Sequence, residues 1–226
     1  KEKTGVAVAA CHADYHFVLT LNNDAHCEVL KNALLFKFPN LLRVYLDCVP
    51  EKDLILKAFL LHSSPKYPRI FVFGWTKLVR FPIDFYVKGL ERALRGVTKE
   101  VFFNNWVFSK DSLERVVKAC SNAARIIIRD SKLDLEEDLD FSGPDYQATY
   151  MSVQYCGNNA EEEWSKKPDR VERLVRAISK SKLRDTLTTF DIHKCEVPVA
   201  NVKSLFTLYG MLNVSVTTVE VAPSGA

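Results

Sequence analysis

The sequence predicts an α/β solenoid, a single parallel sheet on one side and helices on the other, on three observations. A short apolar phrase recurs along the chain. Between its copies the apolar period changes from 2 to 3.6, the mark of a switch from strand to helix. Within each copy, only one side is consistently apolar.

The clearest copy is Leu187, Phe190, Ile192, Cys195 and Val197, spaced L-x-x-L-x-L-x-x-C-x-L. This is the strand and turn spacing of a leucine-rich repeat, whose units are too small to bury their own apolar face and must stack on neighbours. Looser copies begin at Val44 (with Leu46, Val49), Phe71 (with Phe73, Thr76, Leu78), Val101 (with Phe103, Trp106, Phe108) and Ile126 (with Ile128, Ser131, Leu133). Met151 (with Val153, Cys156) and Val214 (with Val216, Val219, Val221) complete the series, and a strand over Phe17 to Leu21 adds a unit in front. The expectation is one domain over 1–226 with about seven to eight irregular repeats.

Helices are expected where apolar residues fall at i, i+3, i+4 and i+7: Leu113, Val116, Val117, Cys120; Val171, Leu174, Val175, Ile178; and Val202, Leu205, Phe206, Tyr209. Less regular patterns fill 27–38, 52–63 and 83–95. Ser109 can cap one helix and Pro168 can stand in a first turn, where its missing N–H costs little. The competing class is a doubly wound α/β domain, but its strands are covered on both faces and read as continuous apolar runs. Here Ser152, Asp191 and Ser215 stand between core positions beside Tyr45, Val72, Phe102 and Ile127, and the next outward set is Asp47, Asn104, Arg129, Gln154, His193 and Thr217.

On these residues the chain resembles a short member of the ribonuclease-inhibitor-like leucine-rich-repeat group. More narrowly, Val101 to Val197 resembles a set of uncharacterised leucine-rich-repeat-like proteins of ciliates. The resemblance rests on Asn105-Trp106 before Phe108, on Leu139-Asp140-Phe141, on Tyr155-Cys156-Gly157 with Trp164, and on Ile192 to Cys195. It implies repeats that alternate strand and helix, and it supplies no activity. Thr76, Trp106 and Ser131 stand where the repeat turn usually has asparagine.

Composition narrows the function classes. With 226 residues, 47% of them apolar, the chain can bury a sizeable core as one domain. A net charge of +3 from 31 basic and 28 acidic residues gives no basic stripe for nucleic acid, and Lys180 to Arg184 reads as a solvated helix end. No apolar run of about 18 residues suggests a membrane span. The chain begins at Lys1 without a secretory segment, which reads as a processed or trimmed product. Six cysteines (Cys11, Cys27, Cys48, Cys120, Cys156, Cys195) without dense pairing read as reduced core thiols of an intracellular protein. The sequon Asn213-Val214-Ser215 is discounted because it falls in an expected strand.

No cofactor, metal or catalytic set is expected. Cys11, His12, His16, His26 and Cys27 offer zinc-type ligands, but adjacent Cys-His pairs point apart on a strand. His193 and Cys195 do not form a thiol–imidazole pair if Cys195 is the buried turn residue. Glu136, Glu137, Asp138 and Asp140 lack calcium-loop spacing, and the glycines form no phosphate loop. Two inserted stretches, 133–147 and 157–167, read as loops projecting at one rim, the second carrying Trp164. The expected function is a non-catalytic protein-binding scaffold, a subunit or assembly factor of a larger complex. The alternatives are an enzyme on a doubly wound fold with a pocket at the strand ends and, behind it, a nucleic-acid-binding module. The expected contacts are an apolar ladder of Tyr45, Val72, Phe102 and Ile127 on an open sheet face, continued by Arg129, Gln154 and His193, with Trp164 at the rim.

Overall fold

The computed structural model describes residues 6–11, 14–21, 41–46, 69–75, 80–154, 168–192 and 198–217. The protein is a mixed α/β structure built on a largely parallel sheet. Its main strands are β1 (Val6–Cys11), β2 (Asp14–Leu21), β3 (Leu41–Leu46), β4 (Ile70–Trp75), β6 (Glu100–Asn104), β8 (Arg125–Arg129), β10 (Tyr150–Val153), β11 (Thr189–Asp191) and β12 (Ser215–Thr217). They lie side by side in that order; β1 and β2 form an antiparallel pair, and every later pairing is parallel. A second parallel sheet of three very short strands, β5 (Phe81–Pro82), β7 (Trp106–Phe108) and β9 (Lys132–Leu133), runs beyond the ends of the first.

Parallel neighbours need long crossovers. The described ones carry α1 (Val87–Leu94, preceded by a 3-10 turn at Ile83–Tyr86), α2 (Lys110–Ala119), α3 (Pro168–Ser179), the single turn α4 (Leu183–Thr186) and α5 (Val199–Leu208). Strand order that never reverses, combined with right-handed crossovers, puts successive helices on the same face. The packing agrees: the buried apolar side chains of all five helices join one large core with Val44, Phe71, Phe103, Ile126, Met151 and Phe190, whereas the cluster on the other face contains strand residues only. Ser109 caps α2 as expected, its Oγ accepting from the Ser112 N–H at 3.2 Å. The segments 27–38 and 52–63 lie outside the described residues.

The repeat phrase is legible in the strands, with one correction. The spacing aligned Val44 with Phe71 and Val214 with Phe190, yet Val44 pairs with Phe73 and Val216 with Phe190. Both strands are displaced by two residues from the expected register. A shift of two leaves every side chain on its expected face, so the apolar pattern fixes the parity of a strand and not its position along its neighbour.

The turns after the main strands have a local cause. Asn105 (φ 63°) and Asp130 (φ 49°) occupy the left-handed region that Asn and Asp tolerate better than other side chains. Each deflects the chain from a main strand into a short one. The Asn105 amide donates to the Trp75 carbonyl at 2.9 Å, and its backbone N–H donates to the Arg129 carbonyl at 3.2 Å. Trp106, fully buried, donates its indole N–H to the Phe73 carbonyl at 2.9 Å and stacks on the Phe73 ring at 4.6 Å. Side-chain donors thus tie the turn at Asn105 to carbonyls of the neighbouring strand.

The stretch 133–147 is irregular, as expected of a loop, but it does not project. Leu135, Leu139, Phe141 and Tyr146 are buried in the main core, where this unit has no helix, and the Tyr146 hydroxyl donates to the Phe141 carbonyl at 2.7 Å. Its carboxylates are also engaged. Glu137 pairs with Lys110 at 2.9 Å, Asp140 with Lys118 at 3.0 Å and Asp138 with Arg176 at 3.1 Å, while Glu136 pairs with Arg170 and Asp145 with Lys182. The acidic run is a clasp between the helices before and after it, although exposed pairs of this kind are individually weak.

Hydrogen bonds from Ser142, followed by the Lys118 ammonium, hold the Asp140 carboxyl down to about 2. A carboxyl lowered on folding adds stability above its unfolded value of about 3.9, and that stability is lost as pH falls toward 2. Melting temperature is therefore expected to drop between about pH 4 and pH 2, with a smaller drop in Asp140→Asn. Thermal melts of both proteins at pH 4, 3 and 2 check this, and an equal drop in the variant contradicts it.

Candidate interaction surface

The face of the main sheet opposite the core carries no helix among the described residues, and this helix-free face presents three rows of side chains, one from each outward position of the strands. The first row is Ile70, Glu100, Arg125, Tyr150, Thr189 and Ser215; the second is Arg43, Val72, Phe102, Ile127, Ser152, Asp191 and Thr217; the third contains Tyr45, Gly74, Asn104 and Arg129, with Gln154 following on β10. The expected ladder is present as one cluster of Val72, Phe102, Ile127 and Ile70, with Tyr45 and Tyr150 packed against it.

That ladder is not open to solvent, which corrects the expectation. Val72 and Ile127 are 0% exposed and Phe102 4%. Among the described residues, Tyr45, Tyr150 and Arg129 of the outer rows pack against the middle one. The Arg129 guanidinium lies 5.4 Å from the Phe102 ring centroid, and that of Arg125 lies 4.5 Å from the Tyr150 ring. The Tyr45 ring lies over Gly74 so closely that a Cβ there would sit 2.9 Å from two ring carbons, so glycine is required by the approach of the ring.

The polar groups are unevenly matched. Glu100, wholly buried, pairs with Arg125 at 3.5 Å. Asp191, also wholly buried, accepts at Oδ2 from the Tyr150 hydroxyl at 3.1 Å and the Ser152 hydroxyl at 3.0 Å. Burial pushes the Tyr150 phenol above its ordinary range, and the nearby Asp191 charge adds to the effect. Asp191 Oδ1, Gln154 Nε2, Asn104 Oδ1 and Arg43 Nε and Nη2 are buried without a hydrogen-bond partner among the described residues. Such unsatisfied buried groups are costly, and a bound partner that supplied the missing hydrogen bonds would offset the cost.

Phe190 and Ile192 are buried on the core side, and Asp191 faces the other way but is covered rather than solvated. His193, Cys195, Val197 and Trp164 lie outside the described residues, so only Tyr45, Val72, Phe102, Ile127, Arg129 and Gln154 of the expected contact set are placed here, and all six share this face. Arg43, Glu100, Arg125 and Tyr150 were not among the expected contacts. Parity alone carried the signal for them, since each lies two residues from an expected or outward-facing position.

A second feature is a cavity of about 650 Å³ beyond the carboxyl ends of the strands. Val107, Phe108, Leu133 and Pro82 supply its apolar lining, and Asp84, Ser109, Lys132, Asp134, Glu136 and Arg170 its polar lining. Ser109 donates to Asp84, and Arg170 pairs with Glu136, so much of this polar lining is internally matched. No histidine or cysteine lines it among the described residues.

Among the described residues, no group of three or more His, Cys, Asp or Glu could hold a metal ion, and the side chains of the Cys11, His12, His16, His26 and Cys27 set lie outside them. Cys120 is a free thiol in the core, its pKa pushed up by burial, which suits packing rather than reactivity. No described helix is long and apolar enough to cross a membrane. No family model matches the chain, and no curated protein matches it.

Proposed function

We propose that the chain is a leucine-rich-repeat-like solenoid that binds another protein through the helix-free face of its sheet, as a non-catalytic subunit or assembly factor of a larger complex. The observation that carries this reading is that face: an apolar row flanked by arginines, tyrosines and amides, with several buried polar atoms lacking partners among the described residues. Interface cores favour this mixture of aromatic residues and arginine. Chain-ordered strands, described helices that all join one core and the left-handed turns at Asn105 and Asp130 support the solenoid.

The test changes Phe102 and Ile127 to Ser, verifies folding by thermal melting, and measures affinity for proteins co-purified from the native source. Because both residues are covered, Arg43→Ala with Tyr45→Ala at half-buried positions provides the gentler variant. Either double variant is expected to weaken binding by about tenfold or more, as loss of central contacts does. Undiminished affinity in folded variants excludes this face as the main contact.

The cavity at the strand ends favours a second reading, a small-molecule or enzymatic site, since its volume falls in the usual range for ligand pockets. Val107→Trp, which fills the cavity, separates the two readings. Partner affinity stays unchanged under the first, while a small-molecule activity would be lost under the second.

A further inference from the structure

On the helix-free face, Asp191 is a wholly buried carboxylate that makes no ion pair among the described residues. Its Oδ2 is held by two neutral donors, the hydroxyls of Tyr150 and Ser152, and its Oδ1 has no partner among the described residues. The cation nearest in the rows, Arg125, packs over the Tyr150 ring and pairs with Glu100 at 3.5 Å. Two positions beyond Ser152 on the adjoining strand, Gln154 is 1% exposed and its amide nitrogen has no acceptor. Among the described residues, a buried carboxyl without an ion pair and a buried donor without an acceptor therefore stand on neighbouring strands of one face. Burial of a carboxylate on these terms is expensive, and a charge-assisted hydrogen bond from a bound group would offset the cost.

We propose that Asp191 and Gln154 form a subsite for a basic side chain of a partner protein: a guanidinium donates to Asp191 Oδ1, and a carbonyl of the same segment accepts from Gln154 Nε2. Tyr150, half-buried beside Asp191, is the side chain that moves to admit it. This subsite rests on the reading of the helix-free face as the contact surface, and it names the chemistry of the partner there.

N-acetylargininamide carries the guanidinium and flanking carbonyls; N-acetylcitrullinamide is its uncharged isostere. Titrating each into the protein and following backbone amide resonances of 150–154 and 189–192 should give saturable shifts with the first and at least about tenfold weaker binding with the second. N-acetyllysinamide separates ammonium from guanidinium, and equal binding of the two widens the ligand class to both. Asp191→Asn should lose the response and melt at or above the wild-type temperature, because it removes a buried charge without a counter-ion. Gln154→Ala should weaken binding of the arginine probe. Absence of saturation, equal binding of the citrulline probe, or an unchanged response in Asp191→Asn overturns the proposal. A markedly lower melting temperature in that variant also overturns it, by assigning Asp191 to the fold. Should the variant not fold, the arginine and citrulline comparison on the wild-type protein decides. The probes need no protein partner, so a positive titration with undiminished partner affinity in the Phe102→Ser, Ile127→Ser protein would refute the docking surface and leave the subsite standing.

Discussion

Replacing Trp106 by Ala is expected to lower unfolding free energy by about 3–5 kcal/mol, the range for emptying a fully buried aromatic site. Trp106 is 0% exposed and stands at the centre of an aromatic cluster, stacked on Phe73 at 4.6 Å and edge-on to Tyr86 at 5.8 Å and Trp75 at 6.3 Å. The same change removes the indole N–H that donates to the Phe73 carbonyl at 2.9 Å. Trp106→Phe, which keeps an aromatic ring but loses that hydrogen bond and part of the buried ring volume, should cost less than the alanine change, about 1–3 kcal/mol. Urea unfolding of the three proteins separates the contributions, and a change of less than about 1 kcal/mol in the alanine variant would show that the cluster does not anchor the junction between the two sheets.

Phe141→Ala carries an expected cost of similar size, about 3–5 kcal/mol. Its position makes it informative. Phe141 lies in an irregular, acidic stretch with no helix or strand, where a solvated loop would tolerate the change at little cost. It is instead 1% exposed and belongs to the main core, and its carbonyl accepts the hydroxyl of the buried Tyr146. A stability loss within about 0.5 kcal/mol would mean that this stretch does not close the core at all.

Periodicity made β2–β4, β6, β8, β10–β12 and the helices α1, α2, α3 and α5 legible, because burial on one face writes a period of 2 or 3.6 directly into residue choice. The antiparallel β1, the second sheet of two- and three-residue strands and the single turn α4 are too short or too irregular to carry a period. The stretch 133–147 was misread for the same reason. Leu135, Leu139, Phe141 and Tyr146 are buried without regular structure, so their spacing has no period to recognise. Its acids are exposed, as a solvated run would be, but their pairing was not legible because the partners, such as Lys110 and Arg176, lie on helices distant in sequence. On the sheet, the parity of Val72, Phe102 and Ile127 was readable, but their burial was not. It depends on which way Arg129 and Tyr45 lean, and that direction follows from neighbours such as Gly74 and Phe102 that only the strand register brings together. The displacement of β3 and β12 by two residues was invisible to the apolar pattern, which is unchanged by an even shift.

The central claim is that the helix-free face is the contact surface, and hydroxyl-radical footprinting of the native complex against the free chain tests it most directly. Tyr45 and Tyr150 report on that face, where they pack against the Val72, Phe102 and Ile127 cluster. Phe85, 40% exposed, and Leu208, 73% exposed, report on the helical side. The expected result is protection of Tyr45 and Tyr150 in the complex with Phe85 and Leu208 unchanged; protection of Phe85 or Leu208 with the two tyrosines unchanged would contradict it.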